Sequence, residues 1–448
     1  MRLDSDASQP PLALTLARFV AETKDVPEQD RALARLRVLD TIGLIRAGMN
    51  TPQGRACVAG MAADGAPEAT LIAGGRKALA HTAALIHGTL AHCLDFDDTF
   101  PDTLVHPGSV VVPVALALGE KLGRSGDDVL AAVAIGYEIA ARIGTPAGRK
   151  LVPRGFHASG VFGPMAGAAV AGRLMRLGPE QIAHAMGHAG SMAGGLMEFS
   201  TDGSWTKWLH TGWSAHGAIL AAELARAGFR GPPTVLEGKN GLYAAFLKPE
   251  TSDMSRAATE LGARWDGRAA EFKFYPTAHI VQPFIDMALD VRERHALKPD
   301  RIAKVRCAVP AWMAPIMCEP RAVKLKPQSQ VNVAASLYFL VAAALIDGRV
   351  TLDTIAPASF GRADILSLAE KVEPEIDPAF GSRFDGRLAV VTTDGQTLTP
   401  TPPADDPTAR KVRAKFATIA GDGANDAAAI IEDIGARGVA AAMRAASV

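Results

Sequence analysis

The 448-residue chain is short of cysteine, of aromatic side chains, of net charge and of uninterrupted apolar runs, and each shortage removes a class of protein. Its four cysteines, Cys57, Cys93, Cys307 and Cys318, are scattered without CxxC or zinc-finger spacing, which argues against a disulfide framework or a local metal–thiolate motif. Formal net charge is zero with the two signs interspersed; there is no basic stripe of the kind that holds nucleic acid. The longest apolar stretch, residues 158–172, contains Pro164 and four glycines and is followed by Arg173 and Arg176. It reads as a buried, close-packed helix and not as a membrane span. Asp4, Asp6 and the Pro10-Pro11 pair precede any apolar run, so no signal peptide is expected, and no P-loop or GxSxG elbow occurs. These absences point to a soluble cytoplasmic protein with no nucleic-acid or membrane partner.

What is present is alanine, glycine and helical periodicity. Apolar residues make up 48% of the chain and aromatics only 6%, a balance that favours helices packed through small side chains. Apolar positions recur at i, i+3, i+4 over residues 12–23, 28–48, 53–63, 78–95, 109–122, 126–144, 158–176, 179–198 and 212–228. Pro- or Gly-bearing connectors separate most of them, and Ser125 is a good helix cap. No period-2 run interrupts this half, which predicts an all-helical domain over residues 1–268. Composition then shifts. Residues 302–309 alternate in the manner of a strand, residues 388–393 end in the Asp394-Gly395 turn, and Thr397 to Thr399 can pair back as a hairpin. Helices are expected at about 277–296 and 330–347. Residues 269–402 therefore read as a smaller α+β domain, residues 400–407 as a linker, and residues 403–448 as a helical tail returning to the first domain. The fold class is mainly α. A chain of this length exceeds a single core, in keeping with two domains.

Several polar constellations stand out against this apolar background. The run 78–95 ends in Ala91-His92-Cys93-Leu94-Asp95-Phe96-Asp97-Asp98-Thr99, with His106-Pro107 seven residues on. If the helix continued, Asp95, Asp98 and Thr99 would share one face. Carboxylates at the end of a buried helix pair, bind something or react. Asp97-Asp98-Thr-Phe-Pro-Asp102 also resembles the aspartate-rich magnesium site of all-α prenyl-diphosphate enzymes, while Asp95 with His106 would suit acid–base chemistry; a solvated helix end is the plain alternative. His157 stands at the entrance of the Gly/Ala-rich helix, as an anion-binding proton donor or a polar cap. Lys207 lies between Trp205 and Trp208, and Lys273 between Phe272 and Phe274 with His279 beyond; each is either an anion-binding cation or a lysine lying over aromatic faces. His184 and His188 have metal-ligand spacing but no carboxylate between them, which favours a structural role.

In series, Ala91-His-x-Leu-Asp-Phe-Asp-Asp-Thr, His106-Pro, Gly155-Phe-His, Thr206-Lys-x-Leu-His-x-Gly, Gly241-Leu-Tyr and Lys273-x-Tyr-Pro resemble the MmgE/PrpD family, over roughly residues 12–440. That family includes 2-methylcitrate dehydratase, cis-aconitate decarboxylase and iminodisuccinate epimerase. The resemblance implies a large helical domain, a smaller α+β lid domain, a homodimer, and no metal or organic cofactor. By motif it also implies a pocket lined by Asp95, Thr99, His106, His157, Lys207 and Lys273.

The chemistry implied is proton movement at a carbon next to a carboxylate. Lys207 and Lys273 would bind carboxylates of a small di- or tricarboxylic acid, His106 and His157 would move the proton, Asp95 would orient one imidazole, and Thr99 would donate a hydrogen bond. Dehydration of a 2-methylcitrate-like acid is the first expectation, by a hydro-lyase. Decarboxylation of a cis-aconitate-like acid, epimerisation of an iminodisuccinate-like one, the magnesium-dependent prenyl-diphosphate enzyme and a non-catalytic acid-binding protein are the alternatives.

Overall fold

A computed structural model describes residues 10–61, 65–247, 253–381, 383–401 and 406–447. Asp4, Asp6 and part of the expected 400–407 linker lie outside this set. The chain forms two compact units, one made of residues up to 272 together with residues from 409 onward, the other of residues 273–408.

The first unit is helical: α1 (Leu12–Glu22), α2 (Glu28–Gly48), α3 (Pro52–Gly60), α4 (Ala80–His92), α5 (Gly108–Lys121), α6 (Gly126–Gly144), α7 (Ala158–Leu174), α8 (Pro179–Ser191), the one-turn α9 (Phe199–Asp202), and α10 (Thr206–Arg226). Starts follow local chemistry. Pro27 precedes α2, Ser125 and Asp128 form a reciprocal capping box on α6, and Pro179 occupies the first turn of α8. The expectation of an entirely helical half needs one small correction. Ala69–Thr70 and Lys77–Ala78 pair as antiparallel strands. At two residues each, they are too short for alternation to appear in the sequence.

At the centre, α10 packs against α4, α7 and α8. Glycine permits the closest of these approaches. A Cβ on Gly212 of α10 would stand 2.1 Å from Thr89 Oγ1 and 2.4 Å from the Leu85 carbonyl of α4, and one on Gly88 would stand 2.9 Å from Gly212 Cα. The tail adds helices Thr408–Ile419, Ala424–Glu432 and Val439–Ala446; its Lys415 reaches back into the unit, 2.8 Å from Asp40 Oδ1, and donates to the Phe96 carbonyl at 2.7 Å. His184 and His188 donate to the carbonyls of Gly231 and Phe229, a loop-tethering arrangement.

The second unit holds a four-stranded mixed sheet. Strand Ile302–Val309 is central, parallel to Val372–Ile376 on one side and antiparallel to Arg387–Thr392 on the other, with Thr397–Leu398 at the edge. The expected 302–309 strand and the 388–399 hairpin are both there, with Val390 opposite Leu398. Strand Val372–Ile376 gives no sequence signal: Pro374 sits within it, which an edge position tolerates. The expected 330–347 helix is two pieces, Gln330–Ala334 and Leu337–Asp347, because Ser336 caps the second through the Phe339 N–H.

Candidate functional site

The α4 helix ends at His92, three residues before the expected 95, so the aspartates lie on a folded loop and share no helix face. The Asp95 N–H closes a turn onto the His92 carbonyl, and Asp95 itself adopts φ +51°, a left-handed conformation that Asp and Asn accept more readily than other L residues. The turn separates the aspartates. Asp95 points its carboxylate at Lys207, with Oδ2 2.7 Å from Nζ. Asp97 is buried and meets the His92 imidazole, both of its oxygens lying 2.8–2.9 Å from Nδ1, and its Oδ1 is 3.5 Å from His106 Nδ1. Asp98 accepts from the Gly108 N–H at 3.0 Å and from the Tyr137 hydroxyl at 2.5 Å, tying the loop to the start of α5 and to α6. The Arg37 guanidinium stacks over the Tyr137 ring, 3.7 Å from its centroid.

The loop then returns to the body. Thr99 exchanges both backbone hydrogen bonds with Glu271, at 3.0 and 2.9 Å. His106 is held from two sides: its N–H donates to Ser159 Oγ at 3.0 Å, and its Nδ1 donates to the Asp98 carbonyl at 3.0 Å with Thr99 Oγ1 at 3.2 Å. That pairing leaves Nε2 of His106 as the acceptor nitrogen and the Thr99 hydroxyl hydrogen free to turn to a ligand.

His157 occupies the N-cap position of α7, but its side chain makes no capping bond. The ring faces inward, with Nδ1 3.2 Å from His210 Nδ1. Lys207 and His210 both come from the first turns of α10, which begins at Thr206 and not near the expected 212. The earlier start is hidden in the sequence because these turns serve the site on one side and expose Trp205, Leu209 and Trp213 on the other, so no single apolar stripe marks them.

Three imidazoles meet here. The His92 ring centroid is 4.7 Å from that of His106 and 5.6 Å from that of His157, and the latter pair is stacked at 14°. Burial pushes His92 down to about 4 against the opposing influence of Asp97. Burial likewise holds His157 well below the usual histidine value, with His92, Lys207, His106 and His210 adding to the effect. Burial alone would raise Asp97, but His92 and His106 outweigh it and hold the carboxyl well below its ordinary range. At neutral pH His92 and His157 are thus neutral imidazoles, with Asp97 as a carboxylate beside His92.

Five of the six expected site residues, Asp95, Thr99, His106, His157 and Lys207, are brought together in the first unit. Lys273 is buried and opens the second unit. Asp97 makes a close carboxylate contact with the His92 imidazole, while Asp95, after its left-handed turn, meets Lys207. The aspartate-rich magnesium reading also loses its geometry, since Asp97 joins the histidines, Asp98 the Tyr137 hydroxyl, and Asp102 is exposed. Sequence reasoning missed His92 and His210. Their only signal was position, His92 heading the aspartate block and His210 one turn beyond Lys207. Ligand atoms of His92, His106 and His157 lie within 4.8 Å of one another, as do those of His92, Asp95, Asp97 and His106, a spacing that suits an ion as well as a shared proton.

Comparison with known proteins bears on the choice. The MmgE/PrpD N-terminal domain matches residues 14–255 and the MmgE/PrpD C-terminal domain residues 275–434. The chain belongs to the MmgE/PrpD family. Among curated members it is 27% identical to mouse cis-aconitate decarboxylase over 332 residues, 71% of this chain and 66% of the mouse protein. The human cis-aconitate decarboxylase is 30% identical over the same shares, and that of Aspergillus terreus is 26% identical over 403 residues, 85% and 81% of the two chains. The alignments to the mouse and human proteins thus span just under two thirds of those proteins. Among the described residues, no helix is long and apolar enough to cross a membrane.

Proposed function

We propose that this MmgE/PrpD enzyme decarboxylates a cis-aconitate-like tricarboxylic acid without a cofactor. The observation that carries the reading is the convergence of Lys207, His106, His157 and Thr99 on one buried site in a chain whose curated relatives are cis-aconitate decarboxylases. The support for this alternative exceeds that for dehydration of a 2-methylcitrate-like acid, which stays as the second reading of the same site.

Loss of carbon dioxide breaks a carbon–carbon bond and leaves its electron pair on carbon. That carbon must be shielded by a nearby cation and then protonated. In this reading Lys207 exchanges its Asp95 partner for a substrate carboxylate, Thr99 donates a hydrogen bond, and His106 or His157 delivers the proton. A polyanion entering beside the depressed His157 imidazole favours its protonated form, so the acid is generated where it is used. In the dehydration reading the same pair removes a carbon-bound proton and protonates the departing hydroxyl. We also propose that the active form is a homodimer, as the family resemblance implies. Support comes from one face of α10, where Trp205, Leu209, Trp213 and Leu220 are 50%, 45%, 50% and 37% exposed.

The test is incubation with cis-aconitate, 2-methylcitrate and iminodisuccinate in D2O, with and without EDTA, followed by NMR. Decarboxylation of cis-aconitate with one deuteron delivered to the product is expected, unchanged by EDTA. Conversion of 2-methylcitrate alone would replace this reading with the dehydratase one, deuterium exchange without net conversion would point to epimerisation, and loss of activity with EDTA would overturn the cofactor-free reaction.

A further inference from the structure

His92 is the residue of the cluster that no motif assignment uses. It closes α4, is fully buried, and its Nδ1 lies between the two oxygens of Asp97 at 2.8 and 2.9 Å. A carboxylate there accepts, so Nδ1 carries the hydrogen and Nε2 holds a lone pair. That Nε2 is buried and has no hydrogen-bond partner among the described residues; the same is true of Nε2 of His157, on whose ring His92 stacks. A buried polar atom left unpaired costs about 1–3 kcal/mol. Two in one cluster, beside His106 and within the field of Lys207, are a site waiting for a ligand atom to share.

We propose that His92 is a third catalytic imidazole, whose Nε2 exchanges a proton with the bound acid, and that Asp97 is its positioning residue. The proposal rests on the reading of this site as an acid–base centre for a small carboxylic acid. In the decarboxylation step the carbon–carbon bond to the departing carboxylate breaks and carbon dioxide leaves. The electron pair stays on carbon and takes the proton from Nε2 of His92, protonated as the polyanion enters and acting here in place of His106 or His157; His92 then regains a proton from solvent. Asp97 serves in two ways, fixing the tautomer that presents Nε2 and stabilising the imidazolium, as an orienting carboxylate does in other Asp–His pairs.

Two arms test this. In the kinetic arm, His92→Gln is expected to lower kcat on cis-aconitate by at least about 100-fold with little change in KM, the size of a lost acid–base group. Asp97→Asn is expected to give a smaller loss of kcat. A His92→Gln enzyme that keeps kcat within about threefold, or loses only in KM, overturns the proposal. The second arm needs no turnover: protein labelled with 15N-histidine is titrated with tricarballylate, an unreactive tricarboxylate. The Nδ1–H tautomer of His92 and a ligand-induced shift of its Nε2 resonance are expected, with the tautomer lost in Asp97→Asn. An unmoved Nε2 overturns the proposal even if the enzyme is active. If the wild-type protein turns over none of the three acids, the functional reading falls while the NMR arm still decides whether His92 meets a carboxylic acid. If His92→Gln does not fold, Asp97→Asn and the wild-type titration decide.

Discussion

Lys207 Nζ stands 2.7 Å from Asp95 Oδ2, joining the first turn of α10 to the loop that follows α4. Both side chains keep some solvent contact, 19% and 29%, so the pair adds only about 0–1 kcal/mol to stability. In the proposed reaction its value lies in holding a cation for the incoming carboxylate. Lys207→Met is therefore expected to lower kcat/KM by at least about 100-fold, while the thermal midpoint moves by no more than about 2 °C. Asp95 has a backbone requirement as well as a charge. Asp95→Asn should preserve the left-handed turn, whereas Asp95→Ala should cost roughly 1–2 kcal/mol more in a denaturant titration. Equal stability of the two would show that the φ +51° conformation carries no such penalty.

A second prediction concerns the tail. Lys415 is buried between Asp40, the Phe96 carbonyl and the Phe96 ring, 3.9 Å from its centroid, and so anchors the loop that carries the site. Lys415→Met leaves Asp40 buried without its cation, near Asp97 and Asp98; a loss of about 3–5 kcal/mol is expected. Adding Asp40→Asn should recover much of it, because the stranded charge is gone. Additive losses in urea titrations would refute the pairing.

Protonation of a histidine remote from the chemistry supplies the third. His87 is fully buried on α4, and its Nε2 accepts from the Ile72 N–H at 3.1 Å. Burial pushes it from 6.5 down to about 4, with Glu120 opposing. Between those values the unfolded chain binds the extra proton. Stability is therefore intact above pH 6.5 and falls as the pH drops toward 4, by about 3 kcal/mol in all. His87→Gln lacks this proton uptake. The stability gap between wild type and His87→Gln should narrow by about that amount from pH 7.5 to pH 4, as read from denaturant midpoints at each pH. A constant gap would contradict the depressed value.

The fourth follows from the exposed face of α10, where Trp213 stacks on His216 at 12°. Leu209→Glu with Trp213→Glu places charge on that face without touching the core. Light scattering should report a dimer for the parent and a monomer for the variant. A variant that stays dimeric would move the interface elsewhere.

Much of the architecture was legible because helical periodicity and caps are local. Residues 28–48 and 126–144 coincide with α2 and α6, and the 302–309 alternation with the central strand. Breaks appeared where a local signal competed with a distant one. Ser336 caps a helix inside an apolar run, and α10 starts six residues early because its first turns serve a site and an exposed face at once.

The candidate site divides in the same way. Residue types and their order along the chain were enough to place aspartates, histidines and a lysine in the motif series of one family. Which nitrogen faces which carboxylate was a tertiary matter. The glycine contact between Gly88 and Gly212 sets how closely α4 and α10 approach, and the left-handed turn at Asp95 gives that residue to Lys207 and Asp97 to His92. Spacing along a chain cannot express a pairing made by two helices crossing, because the partners at 92–99 and 207–210 are adjacent only after the core between them has packed.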